Sequence, residues 1–389
     1  MIFVYVLVAI LVLMFMITIH EFGHYLAGRL FGFGINEFSI GFGPKLFQRK
    51  SKKTGELFSV RALPLGGYCA FYGEEEDEGE SAAPAGGAVA SDAGALAENA
   101  APVRDKPDAG AASPEAVKIP FTAQKPWKRI IVLFAGAAFN MLSAFVFSFI
   151  YILAAGYSVP VVDMLYTDPY TGNVYASGLE TGDRIVAVDG TAVSVLDSFT
   201  ELTSSAGEGE SVALTVLRGG EEFEVSVKKQ RVLIENESGG YDDYMLFGFR
   251  TSYEHEAVSV PAAMGYSFPF TMKMSGLIIS SFGQLITGQI PITELSGPVG
   301  TVAVIAEYSE IDWRYLLMFL PLIASNLAIF NILPIPSLDG ARIVFTVIEW
   351  IRGKPVNRKV EAYIHGIGLL VLLGFVIVVD LIGMVSRFL

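Results

Sequence analysis

Residues 2–24 read IFVYVLVAILVLMFMITIHEFGH and join an uncharged apolar run to a cluster of ionisable side chains. The run from Ile2 to Ile19 is 18 residues long, and a helix rising about 1.5 Å per residue crosses most of a bilayer over that length. No basic segment precedes the run and no small-residue cleavage site follows it, which disfavours a cleaved signal peptide. We therefore predict a membrane-spanning helix that ends in the motif HEFGH (20–24).

Three further apolar stretches complete the predicted membrane part: Ile131–Tyr157, Tyr315–Leu338 and Ile364–Met384, the last with only Asp380 charged. The composition agrees, because 52% of the 389 residues are hydrophobic and only 17% are charged, against about 25% in soluble domains. The net charge of −13 disfavours nucleic acid as a partner, and the single cysteine excludes an internal disulfide framework.

The charge distribution predicts how these spans are oriented. Basic residues cluster after the first span, before the second and between the third and fourth, whereas residues 158–310 hold 7 basic and 21 acidic side chains. Because cytoplasmic loops are enriched in Lys and Arg, we expect 28–128 and 339–363 in the cytoplasm, and 158–310 and both termini outside. Phe268–Thr287 contains Lys273 and several polar residues, so we interpret it as an interfacial helix. A fifth crossing there would invert everything after it.

The segments between the spans are of three kinds. Residues 74–117 are rich in Ala, Gly, Pro and Glu and contain no aromatic residue, which predicts a disordered, solvated insert. Residues 35–72 alternate apolar and polar positions, which predicts short strands close to the membrane. The edge of that sheet could pair with an extended peptide, or the sheet could only brace the first helix. Residues 159–229, with a tight Asp189-Gly190 turn, predict a compact mixed domain.

The motif HEFGH carries the chemistry. His20 and His24 lie on the same face of a helix because they are four residues apart, so both imidazoles can bind one metal ion. Glu21 does not ligate in this pattern and is placed to take a proton from a water molecule at the metal. The alternative is a polar cluster at the membrane interface, but ionisable groups at the end of a spanning helix are unfavourable unless they serve a site or face water.

A catalytic zinc needs a third protein ligand. Asp339 is the best candidate, because the first and third spans run in the same direction and place both groups at similar depth; alternatively, it is a turn residue before Gly340. The ligand types favour zinc, although iron and manganese are also compatible. Pro334 and Pro336 interrupt the helix and leave backbone groups that an extended substrate could use. Asn331 could bind the substrate or developing oxyanion charge, or it could pack between helices.

Seven motifs carry a resemblance to a known family. They are HEFGH (20–24), FSIGFGP (38–44), LPLGGY (63–68), AGAAFN (135–140), GLETGDRIVAVDG (178–190), SGPVG (296–300) and SNLAIFNILPIPSLDG (325–340). Together they resemble the bacterial site-2 protease family of intramembrane zinc metalloproteases, and more narrowly the regulator of sigma-E protease type. The chain departs from that pattern in having one PDZ-like unit rather than two, Ala341-Arg342 after LDG, and the 74–117 insert.

The resemblance implies regulated cleavage, within the bilayer, of single-pass membrane proteins such as anti-sigma factors or remnant signal peptides. It implies that His20, His24 and Asp339 bind Zn²⁺. It also implies that Glu21 is the general base and that a PDZ domain screens substrates. Two groups of residues would contact the substrate: Asn331, Pro334 and Pro336 along its path, and Gly66, Gly67 and Tyr68 in an edge strand that pairs with it.

We therefore predict a multi-pass α-helical protein of the bacterial cytoplasmic (inner) membrane with about four transmembrane helices. A cytoplasmic membrane-associated β-hairpin region and an extracytoplasmic PDZ-like α+β domain complete it, and the zinc site lies toward the cytoplasmic side. The predicted segments are the first transmembrane helix with HExxH (1–31), the hairpin region (32–73), the insert (74–117), the second transmembrane helix (129–157), the PDZ-like domain (159–230), an interfacial segment (258–300), the third transmembrane helix with LDG (314–340) and the fourth (362–385).

The predicted function is that of an intramembrane zinc metalloendopeptidase. The competing hypothesis is a membrane-tethered, non-catalytic PDZ adaptor, which would need the external domain but no metal.

Overall fold

The computed structural model describes residues 2–73, 119–236, 238–291 and 295–388, so the predicted insert lies outside the described residues. The helices of the described chain are α1 (Ile2–Leu30), α2 (Pro126–Ala155), α3 (Phe199–Ser204), α4 (Val260–Ile286), α5 (Pro298–Ile311), α6 (Arg314–Ile332), α7 (Asp339–Arg352) and α8 (Arg358–Phe388). The strands are β1 (Ile35–Lys50), β2 (Leu57–Phe71), β3 (Tyr157–Leu165), β4 (Arg184–Val188), β5 (Thr191–Ala192), β6 (Ser211–Arg218), β7 (Glu221–Lys228), β8 (Gln230–Glu235), β9 (Tyr241–Leu246) and β10 (Phe249–Glu256).

Four helices of the described chain, α1, α2, α6 and α8, are long and apolar enough to cross a membrane. These four helices correspond to the four predicted spans and are consistent with an integral membrane protein. The third span differs from its prediction because α6 ends at Ile332, before Pro334 and Pro336. Proline cannot continue the hydrogen-bond ladder of a helix, so the chain turns there. Asp339 then begins a separate helix, α7, which was not predicted from the sequence.

The chain divides into two compact units. The first comprises Met1–Met16, Ala137–Asn331 and Leu372–Leu389, and the second comprises Ile17–Gly136 and Ile332–Val371. Both units therefore take pieces from distant parts of the sequence, so each is held together by contacts of high sequence separation.

The first unit contains an antiparallel sheet in the order β10-β3-β4-β6-β7, with β5 paired to β4. Its core is built from inward-facing apolar side chains such as Ile185, Leu214 and Val216, which are fully buried. The sheet extends beyond the predicted range of 159–230, because β10 pairs along the whole length of β3, from Phe249 with Leu165 to Glu256 with Tyr157. The likeness of this domain to PDZ stays a prediction.

Helix α4 places its polar residues against protein within the same unit. Ser267, Thr271 and Ser275 are buried along one face, and the Thr271 hydroxyl lies 2.8 Å from that of Ser148 in α2. The Lys273 ammonium donates to the Leu196 carbonyl and the Glu201 carboxylate of the sheet domain. Helix α4 is not among the four helices of the described chain that are long and apolar enough to cross a membrane.

Asp380, the charged residue inside the predicted fourth span, also has partners. Its carboxylate accepts hydrogen bonds from the backbone amides of Gly300, at 3.0 Å, and Val299, at 3.3 Å. These amides belong to the first turn of α5, where helices leave N–H groups unpaired and favour negative charge. A Cβ at Gly297 would lie 2.5 Å from the Asp380 Cγ. The SGPVG motif therefore supplies the backbone amides that bind the Asp380 carboxylate at the start of α5.

Candidate metal centre

Three side chains of the second unit meet at one point. The Asp339 Oδ2 lies 2.9 Å from the His20 Nε2 and 3.1 Å from the His24 Nε2, and the two Nε2 atoms are 3.1 Å apart. Both histidines are buried, at 7% and 6% exposure, and Asp339 is partly buried. Among the described residues this is the one group of three side chains placed to hold a metal ion. The structure thus brings together residues 319 positions apart.

Residues of helix α2 constrain the positions of the two histidines. The His24 Nδ1–H donates to the Val132 carbonyl at 2.8 Å, which leaves the Nε2 lone pair directed at the cluster. A Cβ at Gly136 would lie 2.4 Å from the His24 Nε2, and a Cβ at Gly23 would lie 2.5 Å from the Ala135 carbonyl oxygen. Helices α1 and α2 therefore approach so closely that both positions need glycine. Gly136 was not predicted from the sequence, although small residues in AGAAFN are typical of close helix contacts.

The turn before Asp339 is held by α8. Ser337 has a φ of +79°, which is unfavourable for a residue with a Cβ, and its backbone N–H donates to the His365 Nδ1 at 2.9 Å. One turn further along α8, a Cβ at Gly368 would lie 2.2 Å from the Pro336 Cβ. A Cβ at Gly340 would likewise lie 2.2 Å from the Ile332 carbonyl oxygen. These contacts fix where α7 begins. They therefore also fix the position of the Asp339 carboxylate, because Asp339 is the first residue of that helix.

Glu21 is half-buried and does not belong to the group of ligand atoms. A Cβ at Gly67 would lie 3.7 Å from the Glu21 Cγ. The end of β2 therefore runs beside Glu21. Gly66 has a φ of +141°, and a Cβ there would lie 2.5 Å from the Phe42 ring, which explains the paired glycines of LPLGGY.

The pairing of β1 with β2 builds a small sheet in which residues 67–70 form one edge and residues 47–50 form the other. Residues 37–40 of β1 pair on one side with 57–60 and on the other with 67–70. Within the described chain, no strand pairs with the outer edge of 67–70. The Tyr68 hydroxyl accepts a hydrogen bond of 2.5 Å from Arg61, which anchors the side chain to the sheet.

Three further residues with predicted roles lie at the end of α6 and in the turn that follows. The Asn331 amide donates to the Leu327 carbonyl, one helical turn earlier, at 2.9 Å. Pro334 is exposed and Pro336 is half-buried. The Asn331 side chain is therefore engaged with its own helix, and the two prolines lie in the turn that delivers Asp339.

The three ligand atoms fit a tetrahedral zinc site. Ligands at Zn–N and Zn–O distances near 2.0–2.1 Å lie about 3.3 Å from one another, close to the 2.9–3.1 Å separations here. Two imidazoles and a carboxylate are also a usual ligand set of catalytic zinc. The hydrogen bond from His24 to Val132 supplies the outer contact that typically orients a metal-binding imidazole.

Comparison with known proteins agrees with this chemistry. The family model for peptidase family M50 matches residues 8–375. A putative zinc metalloprotease of Fusobacterium nucleatum is 27% identical, with 96% of each chain covered. The zinc metalloprotease RasP of Geobacillus kaustophilus and the regulator of sigma-W protease RasP of Bacillus subtilis are each 29% identical, with 94% of each chain covered.

The match over nearly the whole chain identifies the enzyme class and its metal. The protein is a zinc metalloendopeptidase that acts in regulated intramembrane proteolysis. The chain belongs to peptidase family M50, the site-2 protease family.

Proposed function

We propose that His20, His24 and Asp339 hold the catalytic zinc and that Glu21 is the general base in peptide-bond hydrolysis. The observation that carries this proposal is the convergence of the three ligand atoms within 3.1 Å of one another. Glu21 directly follows His20 in α1. When bound, zinc polarises the scissile carbonyl and lowers the pKa of a water molecule.

Side-chain and backbone groups of the chain would carry out the proton transfer and orient the zinc ligands. Glu21 takes the proton of the attacking water and delivers it to the leaving amine. The Val132 carbonyl keeps the proton of His24 on Nδ1, so Nε2 is available as a ligand.

The substrate must be extended at the scissile bond, because a helical peptide uses its carbonyls in its own hydrogen bonds. We propose that the unwound segment pairs with the open edge at Gly66, Gly67 and Tyr68, which replaces the lost backbone hydrogen bonds. This edge is suitable because it runs beside Glu21. Pro334, Pro336 and Asn331 would line the path; Asn331 would first have to release the Leu327 carbonyl.

We propose that the substrates are single-pass membrane proteins, such as anti-sigma factors or signal-peptide remnants. The name of the Bacillus subtilis relative, regulator of sigma-W protease, motivates the first class. The sheet domain would screen substrates as a PDZ domain outside the cytoplasmic membrane, and the zinc site would lie toward the cytoplasmic side. The excess of acidic residues in 158–310 supports that orientation.

The decisive experiment measures cleavage of a tagged single-pass substrate together with the zinc content of the purified protein. Glu21→Gln should lower the cleavage rate by about 10²- to 10⁴-fold, the usual contribution of a positioned acid–base group, and should keep zinc. Glu56→Gln is the matched control, because Glu56 is a buried glutamate of the same unit that contacts Tyr25 instead. Equal cleavage by Glu21→Gln would contradict the assigned role, and absence of zinc from all proteins would favour the adaptor.

A further inference from the structure

His365 of α8 is a half-buried titratable side chain that does not belong to the group of ligand atoms. Its Nδ1 lies 2.9 Å from the Ser337 backbone nitrogen and accepts a hydrogen bond from it. Its Nε2 is buried and has no hydrogen-bond partner in the described part of the chain. Its ring packs against that of Phe345 in α7, with centroids 5.6 Å apart. The polar contact of this imidazole is therefore made with the turn before Asp339.

The hydrogen bond to Ser337 defines the charge state of the imidazole. A backbone N–H can only donate, so Nδ1 offers its lone pair and the ring proton is on Nε2. Protonation of Nδ1 would place one N–H opposite another, and the hydrogen bond would be lost. Imidazole is the side chain that ordinarily changes charge between about pH 5 and 8, so mild acidification is expected to break this contact.

The surroundings of His365 do not replace the lost contact. Two charged side chains act on the ring, Arg342 from α7 and Glu361 from one turn earlier in α8. The turn at 333–338 contributes no titratable side chain. Glu361 is already paired with Arg358 at 2.7 Å. A protonated ring would therefore gain no unpaired carboxylate in exchange for the hydrogen bond to Ser337.

The turn depends on this hydrogen bond for its conformation. Ser337 has a φ of +79°, which is unfavourable for a residue with a Cβ. The amides of Ile335 and Leu338 donate within the turn, to the carbonyls of Leu333 and Ile335, whereas the Ser337 amide donates to α8. Asp339 follows two residues later and begins α7. Loss of the hydrogen bond would therefore release a strained residue and allow the Asp339 carboxylate to move.

We propose that His365 is a positioning residue for Asp339 that acts only while its Nδ1 is unprotonated, so that acidification releases the turn and slows proteolysis. This inference rests on the proposed role of Asp339 as a zinc ligand. His365 acts through the backbone of Ser337 and takes no part in the chemical step.

Hydrogen–deuterium exchange of the peptide covering 333–341 tests the contact without a substrate. The purified protein in detergent is labelled between pH 8 and pH 5, and the rates are corrected for the intrinsic pH dependence of exchange. His365→Asn is the informative variant, because the Asn Oδ1 can replace Nδ1 as an acceptor and does not titrate. Wild-type protection should fall about fivefold on acidification, the effect of one lost hydrogen bond, whereas the protection of His365→Asn should stay constant.

Cleavage of the tagged single-pass substrate at saturating zinc tests the consequence. The ratio of the wild-type rate to the His365→Asn rate should fall about fivefold between pH 8 and pH 5, because the effects of all other titrating groups cancel in the ratio. His365→Leu, which has no acceptor, should cleave more slowly than the wild type at pH 8. His255→Asn is the matched control and should keep the wild-type pH profile, because His255 is an exposed histidine of β10.

The two measurements separate failure of this inference from failure of the zinc assignment. Equal loss of protection in the wild type and in His365→Asn would overturn the positioning role and leave the assignment of Asp339 intact. Loss of protection in the wild type alone, with a constant ratio of cleavage rates, would also overturn it, and would in addition count against Asp339 as a ligand. Cleavage by His365→Leu at the wild-type rate would likewise contradict the proposal.

Discussion

Gly136 has no reactive group, yet it is as constrained as the residues of the metal centre. Its missing side chain leaves room for both imidazoles, since a Cβ would lie 2.4 Å from the His24 Nε2 and 2.7 Å from the His20 Cε1. We predict that Gly136→Ala displaces a histidine and lowers zinc affinity by at least tenfold, the smaller of the effects seen when the contacts that orient metal ligands are lost. The measurement is the zinc content of purified protein across a series of chelator concentrations.

A control separates this effect from a general intolerance of alanine in membrane helices. Gly265 lies in α4, and a Cβ there would meet no atom within 4 Å. Gly265→Ala should therefore keep wild-type zinc affinity. If Gly136→Ala also retained it, the proposed zinc ligands would be in doubt, because the two imidazoles could not both keep their positions.

The residues of this site differ in how far the sequence predicts them. The spacing of His20 and His24 on one helix, and the proline-interrupted turn before Asp339, are local features and were predicted. Gly136 and His365 escaped prediction, because their roles depend on which helices pack against one another. A histidine without metal spacing gives no sign, in the sequence, of bonding the amide of a residue 28 positions away.

The same limit applies at the scale of elements. Apolar runs predicted the four long helices, and alternation predicted strands in 35–72, because both patterns are periodic and local. The pairing of residues 37–40 on both sides and the separate helix α7 were not predicted, because they depend on tertiary contacts. The charge of Asp380 was visible in the sequence, but its acceptor role at the start of α5 was not.

The contact between α8 and the turn before Asp339 gives a prediction about an element. Gly368→Ala would place a Cβ 2.2 Å from that of Pro336 and so displace the segment that positions Asp339. We expect proteolytic rate to fall by about 10²-fold, as for other 1 Å displacements in active sites. Gly366→Ala, two residues earlier on the same helix and with no atom within 4 Å, should cleave at the wild-type rate. Equal rates for the two variants would show that α8 does not position the turn.

The open edge of β2 gives a prediction about substrate conformation. In a protein carrying Glu21→Gln, Cys69→Ala and Tyr68→Cys, the introduced cysteine is the only one, since Cys69 is the single native cysteine. Crosslinking to substrates with one cysteine at successive positions should peak at every second residue, because strand side chains alternate between faces. Peaks every three or four residues would show that the substrate stays helical there.

At the scale of the whole molecule, the orientation of four spans rests on the contrast between basic and acidic segments. In a Cys69→Ala background, single cysteines at Thr171, Thr54 and Glu307 test it with a membrane-impermeant maleimide. We expect Thr171→Cys to react in spheroplasts and Thr54→Cys only after permeabilisation. The reason is that 158–310 is acidic, whereas Lys and Arg cluster directly after the first span and before the second. Glu307→Cys lies beyond α4 and should also react from outside, because α4 buries its polar face against α2 and is not among the candidate spans of the described chain. Reaction of Glu307→Cys only after permeabilisation would make α4 a fifth crossing and would move Asp339 away from the side on which α1 ends, which the proposed zinc site does not allow.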